Sequence, residues 1–220
     1  TELSLNGEVF NDAEGVGVIL EGEEAKVLQF PRILQEQKPP LARIDYIHMF
    51  DHEICGYEGF SITKSQTGQV KTAITADAAT CQACLKDLFN KANRRYRYAF
   101  TNCTHCGPRY TITRHLPYDR PQTSMAKFPM CPECQSEYDD PLDRRFHAQP
   151  NACPNCGPQL RFYRHNKKVI NGDPVDLTVE AILNGEIVAV KGIGGFHLVC
   201  DARNPEAVKR LRQRKHRDDK

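Results

Sequence analysis

The sequence predicts an α+β chain of several small units, one of them stapled by metal, rather than a single large core. Three observations carry this. Ten cysteines are present, and eight of them fall in four C-x-x-C pairs between Cys81 and Cys156. Those pairs form an internal repeat, because adding 50 to Cys81, Cys84, Cys103 and Cys106 gives Cys131, Cys134, Cys153 and Cys156. Hydrophobic residues make up 40% of the 220 residues and aromatics 8%, with no tryptophan. That is thin for one core of this length, so something besides apolar burial has to stabilise the chain.

The first unit, residues 1–66, reads as short apolar runs broken by turn residues. Alternation around Gly7-Glu-Val9-Phe-Asn11 and Val16-Gly-Val-Ile-Leu20, with Asn-Asp and glycine clusters between, predicts strands joined by hairpins. A helix is expected over Lys26 to Gln37, ending before Pro39-Pro40 because a residue preceding proline avoids the α region. Two more strands are expected at Ala42 to His48 and Gly59 to Ser65.

Residues 67–165 hold the repeat, and the match extends beyond sulfur. Gly107-Pro108 recurs as Gly157-Pro158, Arg94-Arg95-Tyr96 as Arg144-Arg145-Phe146, and Asp87 as Glu137. The spacing C-x2-C-x18-C-x2-C occurs twice. Zinc takes four thiolates in a tetrahedron, and two tight C-x-x-C turns facing each other across a small sheet supply them, as in zinc ribbons. Gly107 and Gly157, each just after a second pair, suit turns with unusual backbone angles. Disulfides, thioredoxin-like redox pairs and unliganded thiols fit four repeated pairs poorly. Two zinc ions are therefore expected on these eight cysteines. The default ligand pairing is sequential, within each repeat; a cross-braced one uses the same residues. His105 and His147 are spare imidazoles beside a thiolate count already complete, and read as supporting or surface residues. Cys55 and Cys200, outside the repeat, read as buried small hydrophobes.

Residues 166–220 turn α/β. After a polar loop over 164–173, Asp176 is positioned to cap a helix with Val179, Ile182 and Leu183 on one face, ended by Asn184-Gly185. A strand over Ile187 to Val190, a loop over Lys191 to Gly195 and a second strand over Phe196 to Cys200 follow. Asn204-Pro205-Glu206 then opens a helix with a buried stripe of Ala207, Val208 and Leu211.

Charge excludes a broad electrostatic footprint for polyanions, since 30 Lys and Arg stand against 28 Asp and Glu. The run from Lys209 to Lys220 is nonetheless strongly basic. No apolar stretch is long enough to span a membrane, no signal peptide precedes the cysteines, and a reduced cytoplasmic setting suits their pairing. The chain starts at Thr1 and stops inside a charged run, so it reads as part of something longer.

Four stretches then carry a resemblance: Asn102-Cys-Thr-His-Cys-Gly-Pro-Arg-Tyr-Thr-Ile112, Leu116-Pro-Tyr-Asp-Arg120, Arg144-Arg-Phe-His-Ala-Gln-Pro150 and Lys191-Gly-Ile-Gly-Gly-Phe-His-Leu198. They resemble the hydrogenase-maturation carbamoyltransferase family HypF, over nearly the whole chain. The resemblance implies that 1–66 is the C-terminal part of a ferredoxin-like acylphosphatase-like domain. It makes 67–165 a tandem zinc-ribbon-like segment with four cysteines per site, and 166–220 the N-terminal part of a YrdC-like α/β domain; a Kae1-like domain completes members of the family. It implies a multidomain enzyme that turns carbamoyl phosphate and ATP into carbamoyl-adenylate. The carbamoyl group then passes to the C-terminal cysteine of the partner HypE, as precursor of the iron cyanide ligands of nickel-iron hydrogenase. Gly7-Glu-Val9-Phe-Asn11-Asp-Ala-Glu-Gly15 is similar to the acylphosphatase strand-turn whose asparagine orients water, making Asn11 the candidate; the phosphate-cradling loop of that family is not in the chain. A left-handed turn residue is the plain alternative for Asn11. By similarity to YrdC-like domains, Lys191, His197, Lys215, Arg217 and Lys220 are candidates for holding nucleotide and carbamoyl oxygens, against the alternative of a solvated basic helix face. A non-catalytic zinc module binding single-stranded nucleic acid or a protein is the rival function, with Arg94-Arg-Tyr-Arg-Tyr98 as its basic-aromatic run.

Overall fold

A computed structural model describes residues 3–11, 15–39, 41–63, 74–165 and 168–217, with Asn11 described in its backbone alone. Strand β1 (Asn6–Asn11) pairs antiparallel with β2 (Val16–Glu21), Val9 opposite Val18, as the alternation requires. A Cβ on Gly7 would run into the Ile19 carbonyl oxygen, so glycine is needed for the two strands to close there. Helix α1 (Glu24–Gln37) follows, stopping at Lys38, and carries Pro31 in its interior. Strand β3 (Phe60–Ile62) joins parallel to β1, giving the order β2-β1-β3.

The strand expected over Ala42 to His48 is not formed. The segment pairs with no strand among the described residues, and Tyr46 and nearby Phe50 stand exposed. Alternation gives a chain two faces but cannot supply a ladder partner. What anchors the following turn is a carboxylate: Glu21 accepts backbone N–H groups from Cys55, Gly56 and Tyr57. These bonds hold the Glu21 carboxyl below its ordinary range, the bond from Cys55 foremost. Cys55, expected to be buried, is exposed on that turn. The strand expected over Gly59 to Ser65 is seen only as β3, residues 64 and 65 lying outside the described set.

The middle of the chain contains two copies of one short unit. Helices α2 (Gln82–Phe89) and α3 (Pro132–Asp139) each start directly after a cysteine. Each is followed by the same left-handed residue, Arg97 (φ 58°) or His147 (φ 51°), whose N–H returns to the helix end at Leu88 or Tyr138. The expected small sheet is absent here among the described residues; isolated bridges such as Cys103 to Cys106 take its place. A modest core of Tyr98, Ile112, Met125 and Ala152 draws on both copies and on the segment between them. Arg120 pins that segment to the second copy by donating to the carbonyls of Gln149 (2.7 Å) and Asn151 (2.8 Å).

Beyond the repeat, β4 (Phe162–Tyr163) and β5 (Val169–Ile170) form a two-residue ladder, β5 lying inside the stretch 164–173 expected as a loop, too short for alternation to register. Helix α4 (Pro174–Leu183) begins three residues earlier than expected. Asp173 caps it, accepting from Val175 and Asp176 N–H, and Pro174 fills the first helical position. Strands β6 (Val188–Lys191) and β7 (Phe196–Val199) form a hairpin, and α5 (Pro205–Lys215) starts from an Asn204 cap as expected and ends on left-handed His216. No helix of the described residues is long and apolar enough to cross a membrane.

Candidate metal centres

The local sequence brings each set of four sulfurs together in two moves. Cys81 precedes α2, and the Leu85 N–H bonds to its carbonyl (2.9 Å), so Cys84 lies on the first helical turn beside it. Cys131 and Cys134 repeat this on α3, with Gln135 closing the turn at 2.9 Å. The second pairs close through Cys106 N–H to Cys103 O (3.3 Å) and Cys156 N–H to Cys153 O (3.2 Å). Gly107 then takes φ 93°, as its place in the sequence suggests. Gly157 does not: it is required by close approach instead, since a Cβ there would strike the Tyr98 hydroxyl and lie 2.5 Å from Ala152 Cβ.

Cys81, Cys84, Cys103 and Cys106 form one cluster and Cys131, Cys134, Cys153 and Cys156 the other, all Sγ atoms of a cluster within 4.8 Å of one another. The pairing is thus sequential, not cross-braced. A tetrahedron with zinc–sulfur bonds of about 2.3 Å has sulfur–sulfur edges of about 3.8 Å. Here the pairs Cys81–Cys103, Cys103–Cys106, Cys131–Cys153, Cys153–Cys156 and Cys134–Cys156 lie at 3.7, 3.8, 3.7, 3.8 and 3.6 Å. A disulfide needs about 2.05 Å, and all ten cysteines are free. Within the first set the thiols also act on one another. Hydrogen bonding from Cys84 pulls Cys103 down to about 4, and the same bond pushes Cys84 far up, ahead of the effect of its burial. Gathering four thiolates at one point, three of them buried, requires a dication. Both donor sets fit zinc, which would sit among the four sulfurs of each.

Around the sulfurs lies an arrangement that the spacing does not reveal. Arg94 donates from both Nη atoms to Cys134 Sγ (3.5 and 3.4 Å), and Arg95 from Nη2 to the same atom (3.5 Å). Arg144 donates to Cys84 Sγ at 2.9 Å. Each repeat therefore supplies cations to the other repeat's cluster. The acids on the helices complete the exchange. Glu137 accepts from Arg95 (2.9 and 2.5 Å) and pairs with Arg94 (2.7 Å), while Asp87 pairs with Arg144 and, at 2.5 Å, with Arg145. Burial opposes the charge on Glu137, but the bonds from Arg95 and Arg94 outweigh it and hold its carboxyl down at about 2. The recurrence of Arg94-Arg95 and Asp87 in the second repeat is the sequence signal of this network. Of the two spare histidines, His147 stacks on Tyr138 at 5.0 Å and His105 meets its cluster through its backbone N–H, 3.3 Å from Cys103 Sγ. Of the basic-aromatic run offered for nucleic acid, Arg94 and Arg95 are engaged as described, Tyr98 is in the core and Arg97 pairs with Asp173 and Asp176, which leaves Tyr96 as its exposed aromatic.

Models of known families match in chain order. The acylphosphatase model matches 1–62, the HypF finger model matches twice, at 80–113 and 130–163, and the telomere-recombination model of Sua5, YciO and YrdC proteins matches 180–220. Carbamoyltransferase HypF2 of Cupriavidus necator is 54% identical over the whole chain, and carbamoyltransferase HypF of Synechocystis 48%. The chain belongs to the HypF family. It spans 28% and 29% of the length of those two relatives. A crystal structure of full-length HypF in a phosphate- and nucleotide-bound form superposes with TM-score 0.84 at 43% identity, over 98% of this chain and 28% of that one. The crystal structure of T. kodakarensis HypF gives TM-score 0.76 at 46% identity, over 100% of this chain and 28% of that one.

Within this HypF chain the other candidate residues lie apart from the metal centres. Asn11 ends β1, opposite Val16. Lys215 and Arg217 share the lining of a cavity of about 210 Å³ with Arg212, Cys200, Val208 and Leu211. Lys191 and His197 lie on the β6–β7 hairpin and are not in that lining; the Lys191 ammonium sits 5.1 Å from the centre of the Phe196 ring. Lys220 is outside the described residues. Cys200 is half-buried, short of the buried small hydrophobe expected, though nearer to it than the exposed Cys55.

Proposed function

We propose that this chain is the metal-stapled portion of a carbamoyltransferase of nickel-iron hydrogenase maturation, linking an acylphosphatase-like region (1–66) to a YrdC-like one (166–220) through a two-zinc segment (67–165). The observation that carries the reading is the double match to the HypF finger, coincident with the two four-cysteine clusters and flanked by those two family matches. The eight clustered cysteines hold two zinc ions. In the complete enzyme, carbamoyl phosphate and ATP give carbamoyl-adenylate, and the carbamoyl group passes to the C-terminal cysteine of HypE in the cytoplasm.

Asn11 orients water in the acyl-phosphate step. Lys191, His197, Lys215, Arg217 and Lys220 hold nucleotide and carbamoyl oxygens, Lys as a point charge and Arg as a fork. What supports this is the match of 180–220 to the Sua5, YciO and YrdC model; the cavity beside the α5 end is lined almost wholly by apolar surface, the stems of Lys215, Arg217 and Arg212 included. The test is carbamoyl-phosphate-dependent exchange of pyrophosphate into ATP, run on a HypF protein containing this chain and its remaining domains. Lys215→Ala with Arg217→Ala is expected to abolish exchange, because charge-assisted phosphate contacts contribute about 1.5 to 3 kcal/mol each. Unimpaired exchange would remove both residues from the site.

A further inference from the structure

We propose that the two metal sites bind zinc as a pair, because each closes the loop that delivers the other's outer-shell arginines. Eighteen residues, 85–102, run between Cys84 and Cys103, and 18 more, 135–152, between Cys134 and Cys153. Metal on the first cluster ties down both ends of the first loop, which carries Arg94 and Arg95 to Cys134 and Glu137. Metal on the second ties down the loop that carries Arg144 and Arg145 to Cys84 and Asp87. Four thiolates around a dication leave a net double negative charge in a largely buried site, and the donors that offset it come from the opposite loop.

With one cluster empty, its loop has lost a closure, and ordering its arginines costs conformational entropy that a filled site has already met. Further cross-bonds tie the two loops together: Arg95 donates to Ala152 O (2.9 Å) and Asn151 Oδ1 (3.0 Å), and Arg145 to Asn102 O (3.2 Å). Arg95 and Arg145 are 2% and 5% exposed, so neither can keep its charge solvated if the opposite loop is loose. Affinity at each site is therefore linked to occupancy of the other.

The inference rests on the eight thiolates holding zinc, and its test separates the two ideas. The metal-free chain is titrated with zinc against a competing chelator, and the species are counted by native mass spectrometry. At one zinc per chain, zinc-free and two-zinc chains are expected to outnumber one-zinc chains. One-zinc chains at the independent-site level of about half or more would overturn the coupling while leaving the zinc sites intact; no zinc at all would remove the premise. Arg94→Gln and Arg144→Gln keep every ligand and test the route. Each is expected to weaken zinc binding at the opposite repeat's cluster by about 10- to 100-fold and to raise the one-zinc fraction. A double variant with the wild-type distribution and affinities would overturn the arginine route.

Discussion

Arg95 is buried to 2% exposure and spends its guanidinium on Glu137, Asn151 and the Ala152 carbonyl. Removing Glu137 would leave this buried cation with Cys134 Sγ as its remaining anionic partner, against a cost of about 3 to 5 kcal/mol for a buried pair broken outright. Glu137→Ala is therefore expected to lose stability, by less than that figure, in urea denaturation at a fixed free zinc concentration. The same carboxylate gives a pH dependence with a defined sign. Its folded value of about 2 lies below the ordinary 4.5, so its contribution is complete above about pH 4.5 and is lost as pH falls towards 2. Thiolate protonation acts in that window too, and Arg94 and Arg95 join Glu137 to Cys134, so zinc content is followed alongside and the curves are compared where both proteins keep both ions. Wild type is expected to lose stability more steeply between pH 5 and 3 than Glu137→Gln, and parallel curves would contradict the assignment. The membership of each four-cysteine cluster was legible from sequence because cysteine spacing constrains geometry directly. The arginine exchange was not: a repeat register identifies equivalent residues, but cannot say whether an arginine turns to its own cluster or to its copy's.

At the level of elements, capping residues could be read from sequence where they were unambiguous and misread where two acids compete. Asn204-Pro205-Glu206 opened α5 as expected, whereas α4 starts from Asp173 and not from Asp176. Pro174 decides between them, since proline suits the first helical position and Asp173 precedes it. Asp173→Ala is expected to cost about 1 kcal/mol through the lost cap, seen as faster amide exchange in the first turn of α4, with Asp176→Ala milder. Gly157 offers a sharper test of how the repeat packs. Gly157→Ala would push a methyl into the Tyr98 hydroxyl and Ala152, an overpacking cost of about 1 to 3 kcal/mol, read as a lower zinc-loaded Tm. The unformed strand at Ala42 to His48 marks where sequence reasoning ran out: alternation describes two faces of a segment, but a ladder depends on a partner elsewhere.

At the scale of the whole chain, the apolar clusters are small and do not explain why the middle segment holds together. The core of Tyr98, Ile112, Met125 and Ala152 is modest, and the other buried cluster consists of Cys84, Cys103 and Cys106 themselves. Structural zinc contributes roughly 10 to 16 kcal/mol of apparent binding free energy in small modules, which couples folding of the segment to the metal. The thin hydrophobic composition and the cysteine repeat thus describe one fact, a unit that replaces a core with two ions and a shared shell of arginines and acids. The flanking regions fold on other principles, a three-stranded sheet before and a helix, hairpin and helix after. The most direct test is the metal content of the purified chain, measured by elemental analysis with a count of reactive thiols before and after chelation. The account predicts two zinc ions per chain, eight protected thiols, and loss of the helical signal of α2 and α3 once zinc is removed. A folded chain without metal, or disulfides among the eight paired cysteines, would contradict it.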